Sequence, residues 1–150
     1  MPYRVTFVSG LFRGEKDRAR SNAAVAILLE ALTQIDEDYL RHNPETPDLY
    51  TLRDGVYVPT GGVRYHVEPA GMEEWTDIPT TRCRGWGDCE DLSCWLAAQY
   101  RVRLGIRANP HFTWRKIAPR TTLYHIQVKL PDGQIVDPSR ILGMGDGKDR

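Results

Sequence analysis

The chain has 150 residues, with basic and acidic side chains balanced at 20 each for a formal net charge of zero. That balance gives no ground for expecting a nucleic-acid binder or a polybasic membrane-surface protein. Hydrophobic residues make up 41%, a globular share, and no apolar run approaches the roughly 18 residues of a membrane span. A soluble protein folded as one domain over 1–150 is therefore expected. Three cysteines, an odd number, fit neither a disulfide framework nor a Cys-x-x-Cys zinc site and point to a reducing compartment. The opening MPYRVTFVSG lacks the apolar stretch of a signal peptide. Together these features suggest a cytoplasmic protein.

Tyr3 to Val8 alternates like a strand, and Ser9-Gly10 ends it. From Asp17 to Leu40 the period becomes helical, with Val25, Leu28, Leu29, Leu32, Ile35 and Tyr39 on one face and Glu30, Asp36 and Glu37 off it. Asn43-Pro44 stops that helix. Asp54 to Val58 and Val63 to Val67, separated by Gly61-Gly62, read as short strands or a hairpin. Pro69 to Gly87 reads as a loop carrying Trp75, Cys83 and Trp86. This N-terminal part, 1–74, carries no recognisable motif.

A second helix is expected to start near Asp88, a good N-cap, with Glu90 and Asp91 in its first turn. Leu92, Trp95, Leu96 and Tyr100 form its inner face and Gly105 is its natural stop. Phe112 to Arg115 and then Thr122 to Leu130, the clearest strand in the chain, follow. Pro131-Asp132-Gly133 turns the chain back into Gln134 to Asp137, and 143–150 reads as a flexible tail.

Cys89 falls in the first turn of the second helix, where unpaired N–H groups favour a thiolate. Asp88, Glu90 and Asp91 oppose that effect, so a nucleophile there needs a base. His125 is the candidate, because Tyr124, Ile126, Val128 and Leu130 make the apolar face of its strand and leave His125 on the other face with Gln127 and Lys129. A three-residue turn would pair Leu130 with Gln134 and Gln127 with Asp137, placing Asp137 diagonal to His125 and on its face. A two-residue Asp-Gly turn would set Asp137 opposite Val128, on the wrong face. In a Cys-His-Asp site, Cys89 attacks a carbonyl, His125 shuttles the proton and Asp137 orients the imidazole.

Gly87-Asp88-Cys89-Glu90-Asp91-Leu92 at a helix start, His125 in a strand and Val136-Asp137-Pro138-Ser139 after a turn together resemble the core of the transglutaminase-like superfamily. The likeness is nearest to bacterial transglutaminase-like cysteine peptidases and to small phage- or prophage-encoded members, and covers roughly Trp75 to Leu142. It implies an α+β, papain-like fold in which the nucleophile helix packs on an antiparallel sheet, with 75–142 as the catalytic core. The sequence departs from that family's usual His-x-Trp-x-Glu stretch, reading His125-Ile126-Gln127-Val128-Lys129, and has Cys83 where papain-type enzymes place an oxyanion glutamine. Trp75, Trp86, Gln127 and the backbone N–H of Cys89 are the oxyanion or cleft candidates. The resemblance also implies calcium held by Asp88, Glu90 and Asp91, the competing reading being simple helix capping. No cofactor is required by the triad chemistry.

Cys83 and Cys94 read as structural, and His42, His66 and His111 as packing or surface residues. The function expected is a thiol enzyme acting on a protein or peptide carbonyl through an acyl-enzyme, as a cysteine peptidase or amidase. Transfer of the acyl group to an amine, as in protein crosslinking, is the first alternative. The second is a non-catalytic assembly protein, such as one in a phage particle, that keeps the fold. The cytoplasmic expectation then extends to the host cytoplasm or the virion. The zero charge conceals an asymmetry: Leu92 to Pro131 contains Arg101, Arg103, Arg107, Arg115, Lys116, Arg120 and Lys129 and no acidic residue. If these face the cleft they favour an acidic substrate; otherwise they solvate an outer face.

Overall fold

The computed structural model describes residues 4–7, 18–68, 73–119 and 121–145. It is an α+β arrangement in which helix α3 (Cys89–Leu104) packs between helix α1 (Arg18–His42) and an antiparallel sheet ordered β7 (Asn109–Ala118), β8 (Thr121–Lys129), β9 (Ile135–Val136). Two short pairings complete the helix surroundings. Strand β1 (Arg4–Phe7) runs antiparallel to β5 (Glu73–Thr76), and β4 (Arg64–Tyr65) runs parallel to β6 (Trp86–Gly87). A hairpin of β2 (Thr51–Arg53) and β3 (Val56–Val58) stands apart from these. The first strand and first helix match expectation, although Tyr3, Val8 and Asp17 lie outside the described residues.

Helix α3 is buried throughout its first ten residues, including Glu90, Asp91 and Ser93, as an element covered on every side must be. Leu92, Trp95, Leu96, Ala97 and Ala98 are buried with Leu40, Leu49, Val63 and Val128 in one cluster. A second cluster joins Val25, Leu29 and Leu32 of α1 to Trp75, Cys89, Cys94 and Ile126. The predicted face of α1 is therefore the buried one, with one correction. Asp36 was expected off that face, yet it is fully buried, and its Oδ1 accepts the N–H of Ile78 at 2.9 Å.

Ile78 opens α2 (Ile78–Arg84), inside the segment that reads as a loop. The signals for this helix are complete: Asp77 accepts the N–H of Thr80, Pro79 sits in the first turn, and Gly85 closes it at φ 79°. They span only seven residues, too few for apolar periodicity to show. Another short helix, α4 (Pro138–Ile141), starts from Asp137 in the same way. The expected frayed tail is also corrected at its beginning, since Gly143 and Met144 donate N–H bonds back to Arg140 and Ser139; 146–150 lie outside the described residues. Among the described residues no helix is long and apolar enough to cross a membrane.

Candidate functional site

The register of the β8–β9 hairpin decides whether His125 meets Asp137. Val128 pairs with Val136 and Lys129 with Ile135, and Leu130 donates to the Gln134 carbonyl at 2.9 Å. The turn is therefore the three-residue Pro131-Asp132-Gly133, with Gly133 at φ 90°, a conformation that suits glycine. Continuing the ladder sets Gln127 opposite Asp137, on the face of His125. His125 Nε2 lies 2.8 Å from Asp137 Oδ2, and Gln127 Nε2 donates to the same oxygen at 3.2 Å. Burial pushes the Asp137 carboxyl up, but these hydrogen bonds and the imidazole's charge outweigh it and hold it below its ordinary range. An ionised Asp137 has no proton to give, so the Nε2–H donates and Nδ1 carries the lone pair. Nδ1 is buried and makes no hydrogen bond.

Cys89 reaches the same strand from the other side. Its N-cap, Asp88, and Asp91 form a reciprocal capping box, so the helix start is fixed by its own sequence. Because Leu130 and Val128 turn their backbone groups toward β9, the alternation of an antiparallel ladder turns those of Ile126 the same way. The residue that would face Ile126 is Pro138, which has no N–H, and β9 has already ended. Helix α3 takes both groups instead. The Ile126 N–H donates to Cys89 Sγ, and Ser93 Oγ, one turn on, donates to the Ile126 carbonyl at 3.0 Å. The thiol thus lies one residue along the strand from His125.

No hydrogen bond joins the thiol to the imidazole. Cys89 Sγ donates to Glu90 Oε2 at 3.4 Å. Burial pushes the thiol well above its ordinary range, the charges of Glu90 and Asp88 push further, and the Ile126 N–H pulls back. A helix N-terminus alone favours a thiolate; here those opposing effects win.

The other candidates separate. Trp75 is buried in the cluster around Cys89. Trp86 lies under the guanidinium of Arg84, 3.7 Å from ring centre to carbon, with the His66 ring against its edge, so it is a stacking platform. Gln127 braces Asp137, and the Cys89 N–H donates to Asp88 Oδ1 at 2.7 Å.

The acidic residues lie close enough to share a cation, Asp88 and Glu90 together with Cys89, while Asp88 and Asp91 also take part in the chain's own hydrogen bonds. Asp88 accepts the N–H groups of Cys89 and Glu68, and Asp91 accepts those of Thr76 and Asp88. Arg84, 2.6 Å from Asp91, already supplies the positive charge a cation would bring. Burial still lifts Asp91 to about 7 against those donors. The helix-capping reading is the one these bonds support for Asp88 and Asp91. A residue that sequence reasoning missed, Glu68, joins Glu90 and Asp91 in a second close group.

The three cysteines are free thiols, Cys83 exposed on α2 and Cys94 buried with its Sγ toward the Leu29 carbonyl. His42 is exposed on α1 beside Asp38. Of the cations expected as one group, Arg101 is bound to Glu30, Glu37 and Asn109, and Arg103 to Asp48 and the Thr46 carbonyl. Arg107 lines a separate hollow with Glu37 and Asn109. The β7–β8 register puts His111, Thr113 and Arg115 on the face of His125, Gln127 and Lys129, and puts Lys116 on the opposite face. Arg115 and Lys129 are exposed there, while Arg120 lies outside the described residues. Comparison with protein-family models, with curated proteins and with solved structures gives no match.

Proposed function

We propose that the chain is a thiol enzyme of Cys-His-Asp type, with a transglutaminase-like, papain-like core, that acts on an amide or peptide carbonyl through an acyl-enzyme. The observation that carries this reading is the His125–Asp137 hydrogen bond, set by the hairpin register, beside a cysteine at a helix N-terminus anchored to the next residue of the same strand. Asp137 fixes the tautomer that leaves Nδ1 able to accept the Cys89 proton. The thiolate attacks the carbonyl, the tetrahedral intermediate collapses, and the leaving amine takes the proton back from Nδ1. Water, deprotonated by the same nitrogen, then frees the acid; an amine in its place gives transfer. Arg115 and Lys129 on the face of His125 favour a substrate with carboxylates near the reacting carbonyl.

The test is acylation by an activated ester such as p-nitrophenyl acetate. Wild type should release a burst of nitrophenolate with acetyl found on Cys89 by mass spectrometry, and Cys89→Ala should show none. An acetyl group on Cys89 that forms equally fast in His125→Ala would sink the triad. A second reading, a non-catalytic binding protein that keeps the fold, is favoured by the burial of Cys89 and its bond to Glu90 rather than His125. A complete lack of acylation would select it.

A further inference from the structure

Glu90 stands in the first turn of α3, where a carboxylate in water would already be stabilised by the helix dipole. It is instead buried, 6% exposed, with Oε2 on the Cys89 thiol. Its surroundings are acidic: Asp88 on the same turn groups with Cys89 and Glu90, and Glu68, from the segment after β4, groups with Glu90 and Asp91. Among the described residues, Arg84 of α2 brings a cation to this group, bound to Asp91 and 3.8 Å from Glu68. From β8, the titratable neighbour is His125, whose Nδ1 is buried without a hydrogen bond. The acceptor that holds the thiol is the Glu90 carboxylate, which favours the protonated form, while His125 stands one residue along β8 from the Ile126 N–H that also meets the thiol.

We propose that Glu90 is a holding residue, which keeps the Cys89 thiol protonated and unreactive until it is handed to His125 Nδ1. The proposal rests on the thiol-enzyme reading and specifies its resting state. The handover is a rotation about the Cys89 Cα–Cβ bond. The S–H···O contact to Glu90 breaks and the S–H···Nδ1 contact forms. The proton then passes to Nδ1, leaving a thiolate and an imidazolium, with no other reactant consumed.

Alkylation by iodoacetamide tests this without a substrate. The rate at Cys89 is followed across pH by mass spectrometry of its peptide, because Cys83 is exposed and reacts as well. Glu90→Gln keeps the shape and removes the charge. It should lower the pH midpoint of Cys89 alkylation by at least about one unit and raise the rate at pH 7 roughly tenfold. An unchanged midpoint and rate overturns the proposal. The same substitution in a His125→Ala background separates the parts: a rise that needs His125 supports the handover, and a rise that survives its removal leaves the hold by Glu90 and overturns the handover to Nδ1, while the triad itself stands or falls on the acylation test. If Glu90→Gln does not fold, the wild-type S–H stretch decides. The Cys89 band, identified by its loss in Cys89→Ala, should lie below that of Cys83, and a band at the free-thiol position overturns the proposal.

Discussion

The two halves of the candidate site are built by opposite means. The His125 half is a hairpin whose short turn sets the register, with its charges paired and its outer face open and basic. The Cys89 half is buried, acidic and held by packing from α1 and by bonds from α2, β5 and the segment after β4. The partner of an imidazole can be specified by local turn length, whereas the proton affinity of a buried thiol is set by a whole neighbourhood. On the proposed reading the first half is prepared for proton transfer, and the second is restrained from it.

The largest expected effect comes from removing the prepared half. His125→Ala should slow acylation of Cys89 by about 10²- to 10⁴-fold, the usual worth of general base catalysis, and Asp137→Asn should slow it in the same direction. Stopped-flow nitrophenolate release measures both; equal rates in wild type and His125→Ala would dissolve the distinction between the halves. Next is the ion pair under the restrained half. Arg84→Met strands the buried Asp91 and should cost about 3–5 kcal/mol in urea denaturation. A loss below about 1 kcal/mol would mean that Asp91 is protonated in the fold and never needed its partner.

Gly87→Ala is a smaller perturbation of the same region. A Cβ there would lie 3.1 Å from Leu92 Cδ2 and Thr81 Cγ2, and the crowding should cost about 1–3 kcal/mol. The circular dichroism melting curve should shift downward, with the β8–β9 hairpin unaffected in amide exchange. The smallest effect concerns Asp36. Burial raises its carboxyl well above the ordinary range, so the folded state keeps a proton that the unfolded chain releases near pH 3.9. Its contribution is fully present below that pH and is lost as pH rises through the raised folded value. Asp36→Asn should therefore raise the melting temperature at pH 8 and leave it unchanged at pH 3. Equal shifts at both would show that the carboxyl is ionised in place.

The parts legible in the sequence were those written locally. Asp88 and Gly105 bound α3 because capping chemistry acts within a turn, and the Pro131–Gly133 turn carries the register that brings Asp137 to His125. Helix α2 was also written locally, in Asp77, Pro79 and Gly85, but over too few residues to show a period. What stayed hidden depends on partners far along the chain. Asp36 is buried because it accepts from Ile78, 42 residues on, and Arg101 is silenced by Glu30, 71 residues away. Seven basic residues without an acidic one looked like a field; pairing with α1 and the segment after it removed two of them from the face of His125. The hold of Glu90 on Cys89 is between adjacent residues, yet it depends on side-chain rotation and burial, which a sequence pattern does not encode.

The rung opposite Pro138 has a consequence for solubility. A sheet edge with bare amide and carbonyl groups invites another strand to add, whether from a second molecule or a fibril. Here the open position on β8 is sealed by Cys89 and Ser93. Helix α3 therefore doubles as an edge guard, and loosening it, by Ser93→Ala or by a bulky adduct on the Cys89 thiol, exposes a place where foreign chain can grow.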